Sequence, residues 1–264
     1  MADLTDALLD RMIRTIVDEV APEQVILFGS RARGDARPDS DVDLLIIESE
    51  PFGDGRNSHA ESVRLDRALR ATPATTDILV YSRDEIERWR GSLNHVAARA
   101  LREGRVLYTR DWGVPSPTSR PCSVRDGDQA QPDIQQAKLL LGMADGDLGA
   151  VRAMRDRAEF TDEIFGFHVQ QAAEKCFKAW VALLGQEYPL THDLGKLIDM
   201  LERQDAAVSE HADLARFSTF AVHYRYARFP EDAEPIDRPA AIRRVETLMV
   251  HVRSLLPAVR SETP

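Results

Sequence analysis

The stretch that decides the fold is Phe28-Gly29-Ser30-Arg31-Ala32-Arg33-Gly34, followed four residues later by Asp39-Ser40-Asp41-Val42-Asp43-Leu44. The apolar run Val25-Ile26-Leu27-Phe28 leads into it and predicts a buried strand that ends in a turn at Gly29-Ser30. A second apolar run, Val42-Asp43-Leu44-Leu45-Ile46-Ile47, predicts a second strand. Small, basic and acidic residues therefore cluster where two buried strands end and begin.

The two aspartates of the second strand predict a cation site. Because side chains alternate along a strand, Asp41 and Asp43 point to one face, about 7 Å apart. Two carboxylates on a largely buried sheet leave uncompensated negative charge, which is costly unless a cation is bound. Hard oxygen ligands suit Mg²⁺, which proteins hold by one or two carboxylates together with substrate phosphates.

A third acid extends this site. Asp77 heads the apolar run Asp77-Ile78-Leu79-Val80-Tyr81, which predicts a third strand. If that strand lies beside the second, Asp77 completes a carboxylate triad. Three acids can hold two metal ions roughly 4 Å apart, so two Mg²⁺ ions are expected.

The first turn predicts a phosphate site next to the acids. Gly29 lets the backbone approach a phosphate closely, and the Ser30 hydroxyl adds a donor. Arg31 and Arg33 lie between this turn and the acids, where the charge of a triphosphate needs neutralising. The sequence lacks Gly-x4-Gly-Lys-Ser/Thr, so a P-loop NTPase is not supported.

Around these motifs, residues 1–110 alternate helix and strand. Apolar spacing predicts helices over residues 4–20, 58–70 and much of 83–104, and a possible edge strand over 105–108. The pattern predicts an α/β (α+β) domain with a small mixed sheet.

The rest of the chain differs in character. Residues 111–132 are rich in Pro, Ser, Gly and Asp and predict a linker. Residues 133–264 predict an all-α antiparallel bundle, since three- and four-residue apolar spacing recurs in five segments: 134–156, 162–184, 193–203, 210–228 and 238–256.

Composition excludes several classes of protein. With 34 basic and 44 acidic residues the net charge is −10, and aromatic residues make up 6%, which argues against long nucleic acid as a partner. No apolar stretch approaches the ~20 residues that span a bilayer. Cys122 and Cys176 match no metal or redox spacing, and no secretory signal is evident, so a cytoplasmic protein is expected.

The glycine–serine and aspartate motifs resemble the signature of the minimal nucleotidyltransferases of the DNA polymerase beta superfamily, over about residues 10–109. The resemblance implies that Gly29 and Ser30 hold a nucleoside triphosphate, with ATP expected. It implies that Asp41, Asp43 and Asp77 bind the metal, and that Asp77 helps to activate an acceptor hydroxyl. A nucleoside monophosphate would pass to that hydroxyl, on a protein or a small molecule.

Three blocks of the second half resemble a HEPN domain, over about residues 133–257. They are Gln170-Gln171-Ala172-Ala173-Glu174-Lys175, Thr191-His192-Asp193-Leu194 and Tyr226-Ala227-Arg228-Phe229-Pro230. HEPN domains pair through their helices, which makes a homodimer plausible. HEPN domains also accompany nucleotidyltransferases, which fits a toxin–antitoxin-like module with a protein tyrosine as acceptor. From the residues alone, His192 is most simply part of a helix cap.

Other functions stay open. Arg216 and His223 have the Arg-x4–6-His spacing of HEPN ribonucleases and would share a helix face, placing an imidazole acid or base beside a guanidinium. The alternatives are therefore an aminoglycoside-type antibiotic nucleotidyltransferase, a HEPN ribonuclease regulated by its nucleotidyltransferase domain, and a nucleotide-binding scaffold without turnover.

Overall fold

The computed structural model describes residues 6–37, 40–53, 55–110, 131–204, 206–221 and 234–257. By its internal contacts the chain divides into two compact units, residues 1–126 and 127–264. Each unit has its own hydrophobic core. The predicted boundaries at residues 110 and 133 stay predictions, because residues 111–130 lie outside the described ranges.

The first unit is a small mixed sheet with helices on both faces. Its elements, in chain order, are α1 (Asp6–Val20), β1 (Gln24–Phe28), α2 (Gly29–Arg33), β2 (Val42–Glu48), α3 (Ser58–Leu69), β3 (Thr76–Ser82), α4 (Arg83–Trp89), α5 (Val96–Glu103) and β4 (Arg105–Thr109). The strand order is β3-β2-β1-β4. Strand β1 runs antiparallel to β2 and β4, whereas β2 and β3 are parallel.

Burial on both faces explains why β1 and β2 read as continuous apolar runs. Alternate residues such as Val25, Leu27 and Leu44 join the core that includes residues of α1 and α3. The residues between them, such as Ile26 and Leu45, join the core that includes residues of α4 and α5. The sheet is thus held from both sides, which fixes the strand ends that carry the acids.

The described residues of the second unit form helices joined by loops, with no strand. It contains α6 (Ile134–Met154), α7 (Asp162–Leu183), α8 (Leu194–Glu202), a 3-10 helix (Ala206–Thr219) and α9 (Arg238–Ser254). Helix α7 is its centre, and Phe165, Phe177 and Trp180 of that helix are fully buried. Aspartate side chains cap α6, α8 and α9 by accepting from backbone N–H groups in the first turn. The predicted fold class is confirmed in both units.

The prediction that 83–104 is largely helical is confirmed by α4 and α5, which are separated where the Ser92 hydroxyl accepts from the His95 N–H at 2.9 Å and competes with helical pairing. Two local predictions were wrong. The turn at Gly29-Ser30 is the start of helix α2. In place of a helix over 210–228, the structure has the 3-10 helix and, past residue 221, residues that are not described.

No helix in the described ranges is long and apolar enough to cross a membrane. Cys176 is a free thiol in the helical core, and burial raises its pKa to about 12. At neutral pH this thiol is protonated and unreactive. Cys122 lies outside the described residues.

Candidate active site

The sheet brings Asp43 and Asp77 together. Asp43 of β2 pairs with Phe28 of β1 on one side and with Asp77 of β3 on the other. Asp43 alternates in phase with Leu45 along β2, and Asp77 does so with Leu79 along β3. Leu45 and Leu79 belong to the core on the α4 and α5 side, so both carboxylates project from that same face.

Asp41 adds a third negative charge at this edge. It immediately precedes β2 and is exposed, as is Asp77, whereas Asp43 is half-buried. Burial raises the pKa of Asp43, and the charges of Asp77 and Asp41 raise it further, while Arg33 and Arg31 act in the opposite direction. The two neighbouring acids thus add negative charge around the Asp43 carboxylate, which a bound cation would offset.

Gly29 touches the acid directly. Its φ is +70°, in the left-handed region that favours glycine. A Cβ at this position would lie 2.0 Å from Oδ2 of Asp43. The residue therefore has to be glycine for two independent reasons, backbone conformation and space. The close approach also means that a ligand bound at the start of α2 lies beside the carboxylates.

Arg31 organises the loop that carries Asp41. Its Nε donates to the carbonyl of Ser40 at 3.0 Å and to that of Asp41 at 3.1 Å, and its Nη2 donates to Ser40 as well. The Ser40 hydroxyl in turn accepts from the N–H of Arg37 at 2.9 Å. The guanidinium expected to face a triphosphate is thus engaged with the backbone, a contact that sequence spacing did not reveal.

Arg33 and Ser30 are the groups left to meet a ligand. Arg33 is exposed and lies 3.3 Å from Asp35 and 3.9 Å from Glu103, so its ion pairs are at the surface. Such pairs exchange readily with water or a bound anion. The half-buried Ser30 hydroxyl makes no hydrogen bond with any residue that the structure describes.

The donor set fits a hard divalent cation. Within the described ranges, no three His, Cys, Asp or Glu side chains are arranged so that they could hold a metal ion by themselves. The charges of Asp41 and Asp77 nevertheless both act on the Asp43 carboxylate. This agrees with Mg²⁺ chemistry, in which water and substrate phosphates complete the octahedron that one or two carboxylates begin.

In the helical unit, Arg216 is exposed and its guanidinium lies over the buried Phe217 ring, 4.9 Å from the centroid. His223 lies outside the described residues, so the pairing of Arg216 with His223 stays a prediction. The cap of α8 is Asp193, which accepts from Gly195 N–H at 3.0 Å.

His192 has a partner that sequence reasoning missed. Its Nδ1 lies 3.1 Å from Oε2 of Glu174, a carboxylate 18 residues away that is almost fully buried. The separation along the chain hides the pair, since neither residue follows a spacing that signals contact. His192 therefore contacts a buried carboxylate in addition to lying next to the cap of α8.

Comparison with known proteins agrees with the division into two units. Residues 9–103 match the nucleotidyltransferase domain family, and residues 129–259 match the HEPN domain family. No curated protein gives a significant match.

Two solved structures are similar over most of the chain. A nucleotidyltransferase-like protein from Exiguobacterium sibiricum is 13% identical, over 94% of this chain and 74% of its own, with a TM-score of 0.39. A spectinomycin adenyltransferase from Enterococcus faecialis, solved with ATP and spectinomycin, is 11% identical over 94% of this chain and 97% of its own, with a TM-score of 0.45. On the two families that it matches, the chain contains a nucleotidyltransferase domain followed by a C-terminal HEPN domain.

Proposed function

We propose that the chain transfers a nucleoside monophosphate from a nucleoside triphosphate, with ATP as the expected donor, to a hydroxyl acceptor. The observation that carries the proposal is the meeting of three groups at one sheet edge. Asp43 lies between Asp77 on the neighbouring strand and Gly29 at the start of α2. The two acids and the start of α2 are thereby within reach of one ligand.

Different residues of the chain would contribute to binding the triphosphate. Ser30 offers a hydroxyl donor without a described protein partner, and Gly29 lets the start of α2 lie directly against the Asp43 carboxylate. Arg33 offers an exposed guanidinium for the triphosphate charge. Arg31 is a positioning residue, because it holds the carbonyls of the loop that ends in Asp41.

Asp41, Asp43 and Asp77 would hold a divalent metal, Mg²⁺ by donor chemistry and two ions by the number of acids. When bound, the metal would neutralise the phosphates and lower the pKa of a coordinated hydroxyl. Asp77 is exposed at the edge and free to accept the proton of the acceptor hydroxyl. That hydroxyl attacks the α-phosphorus, and pyrophosphate leaves.

The proposal extends to the biological setting. The acceptor is a side chain of a protein, with tyrosine as the expected residue, and the two halves act as a toxin–antitoxin-like module. The chain pairs with a second copy through its helical half. The match to a HEPN domain supports these statements, because the toxin–antitoxin-like module and the pairing of two copies are both proposed from the resemblance to that domain.

The test is incubation of the full chain with each labelled nucleoside triphosphate and Mg²⁺, alone and with a cell lysate. We expect the wild type to incorporate label, and the double variant Asp41→Asn, Asp43→Asn to lose it. Asp66→Asn, an exposed acid on α3, is the matched control and should keep full incorporation. Full incorporation by the double variant would contradict the proposal.

A further inference from the structure

A buried carboxylate on α7 accepts from three side chains of the helical unit. Glu174 on α7 accepts from Lys178 Nζ at 2.7 Å, from Gln170 Nε2 at 2.7 Å and from the His192 ring. Its side chain is 7% exposed. Burial works to raise the pKa of Glu174, but the charge of Lys178 and the hydrogen bonds outweigh it, so the pKa lies below its usual value. Glu174 is therefore ionised at neutral pH.

An ionised carboxylate fixes the tautomer of the imidazole that faces it. Because Glu174 can only accept, Nδ1 carries the proton when the His192 ring is neutral, and Nε2 is then the nitrogen that carries the lone pair. The side chain of His192 is 66% exposed, and Nε2 makes no hydrogen bond with any described residue. Gln170 Nε2 also donates to the His192 backbone carbonyl at 2.9 Å, so both backbone and ring are held.

We propose that His192 Nε2 is a second acceptor for the nucleotidyl group, built into the chain itself. The inference rests on the proposed function, since the donor is the same nucleoside triphosphate. The Nε2 lone pair attacks the α-phosphorus, the bond from that phosphorus to the bridging oxygen breaks, and pyrophosphate leaves. The positive charge that develops on the ring is met by the Glu174 carboxylate, and loss of the Nδ1 proton to solvent leaves a neutral nucleotidyl-imidazole.

The other described histidines lack this combination of groups. Among the six that the structure describes, a mostly exposed ring and a buried carboxylate on Nδ1 occur together in His192 alone. His59 is exposed without a described carboxylate partner, His95 and His211 are buried, His251 is half-buried beside Trp180, and His168, which faces Asp147, is only 31% exposed. The carboxylate that stabilises charge on the ring and the access that a nucleotide needs are both present at His192.

The linkage gives the product a chemical signature. A phosphorus–nitrogen bond to imidazole is lost in acid and survives alkali, whereas a nucleotide on a tyrosine hydroxyl survives acid. The bond also keeps a high transfer potential, so the nucleotidyl group on His192 can return to pyrophosphate or pass to water. Self-modification at this residue is thus a reversible mark on the helical half.

The experiment uses the full chain with Mg²⁺ and α-labelled ATP, resolved without acid, then split into acid-treated and alkali-treated samples and mapped by mass spectrometry. We expect acid-labile label on the peptide that contains His192. His192→Gln should lower this label at least about tenfold, and Glu174→Gln should slow its formation, because the ring charge loses its counter-ion. His59→Gln is the matched control and should label as the wild type does.

Two results separate the inference from the function on which it rests. Acid-stable label that is undiminished in His192→Gln, or transfer to a lysate acceptor with no label on the chain itself, overturns the inference and leaves the proposed function standing. Absence of pyrophosphate release from every nucleoside triphosphate overturns both. Equal melting temperatures of wild type and His192→Gln exclude misfolding as the cause of a lost label.

Discussion

Neutralising Asp43 should stabilise the metal-free protein while abolishing its activity. Asp43 and Asp77 are paired across neighbouring strands, which places their backbones roughly 4.8 Å apart and their carboxylates at about 5 Å. At an effective dielectric constant of 20, two charges at that distance repel by roughly 3 kcal/mol. Since Asp77 is exposed, solvent reduces this, and Asp43→Asn is expected to relieve about 1 to 2 kcal/mol.

The sign follows from the direction of the pKa shift. The pKa of Asp43 is raised in the folded protein. At a pH above that pKa, ionised Asp43 therefore lowers the free energy of unfolding. In EDTA, Asp43→Asn should therefore melt roughly 5 to 10 °C higher than the wild type. With Mg²⁺ at 100 times its dissociation constant, the wild type gains about 2.7 kcal/mol and the variant gains little, so the order reverses.

Differential scanning calorimetry of both proteins, with EDTA and with Mg²⁺, measures this reversal. Asp66→Asn is the control, and its exposed position should change stability by no more than about 0.5 kcal/mol in either buffer. The reasoning is refuted if Asp43→Asn melts below the wild type in EDTA, or if Mg²⁺ stabilises both proteins equally.

Three further changes probe other parts of the structure. In Gly29→Ala the new Cβ has an unfavourable positive φ and also clashes with the Asp43 carboxylate, whereas in Gly34→Ala, at φ +82° in open space, only the positive φ is unfavourable. Denaturant unfolding should show a loss of about 1 to 2 kcal/mol in the free energy of unfolding for Gly34→Ala and a clearly larger loss for Gly29→Ala. Arg31→Ala frees the two carbonyls that it binds, so kcat for transfer should fall about tenfold or more with the melting temperature little changed, and an unchanged kcat would remove its positioning role. Burial and neighbouring His251 lower the pKa of His211, so the folded state binds fewer protons and stability should drop as pH falls below about 6.5; His211→Gln should flatten that slope in a pH series of melts, and an unaltered slope would contradict the assignment.

Local pattern predicted the strands and the acids because both are local signals. The apolar runs at β1 and β2 are continuous because both faces of the sheet are covered. Asp41 precedes β2, which begins at Val42, so its placement on the same face as Asp43 stays a prediction. Asp77 lies beside Asp43 because β3 pairs with β2, and the sequence alone did not determine that pairing. Their roles as metal ligands stay predictions.

Contacts between distant or unpatterned residues could not be predicted in this way. The approach of Gly29 to Asp43 depends on the register of two strands, and the hold of Arg31 on the Ser40 carbonyl depends on the path of the loop between them. The pairing of His192 with Glu174 joins a loop to the buried face of a helix. Each requires packing, which no spacing rule in the sequence encodes.

The central claim is that the edge formed by the three aspartates transfers the α-phosphoryl part of a nucleoside triphosphate. Parallel reactions with α-labelled and γ-labelled ATP, in Mg²⁺ and with a cell lysate, test it most directly. The acceptor should gain the α-label and the γ-label should appear in pyrophosphate, and the double variant Asp41→Asn, Asp43→Asn should do neither. Transfer of the γ-label to the acceptor would contradict this. So would release of the γ-label as orthophosphate by the double variant at the rate of the wild type.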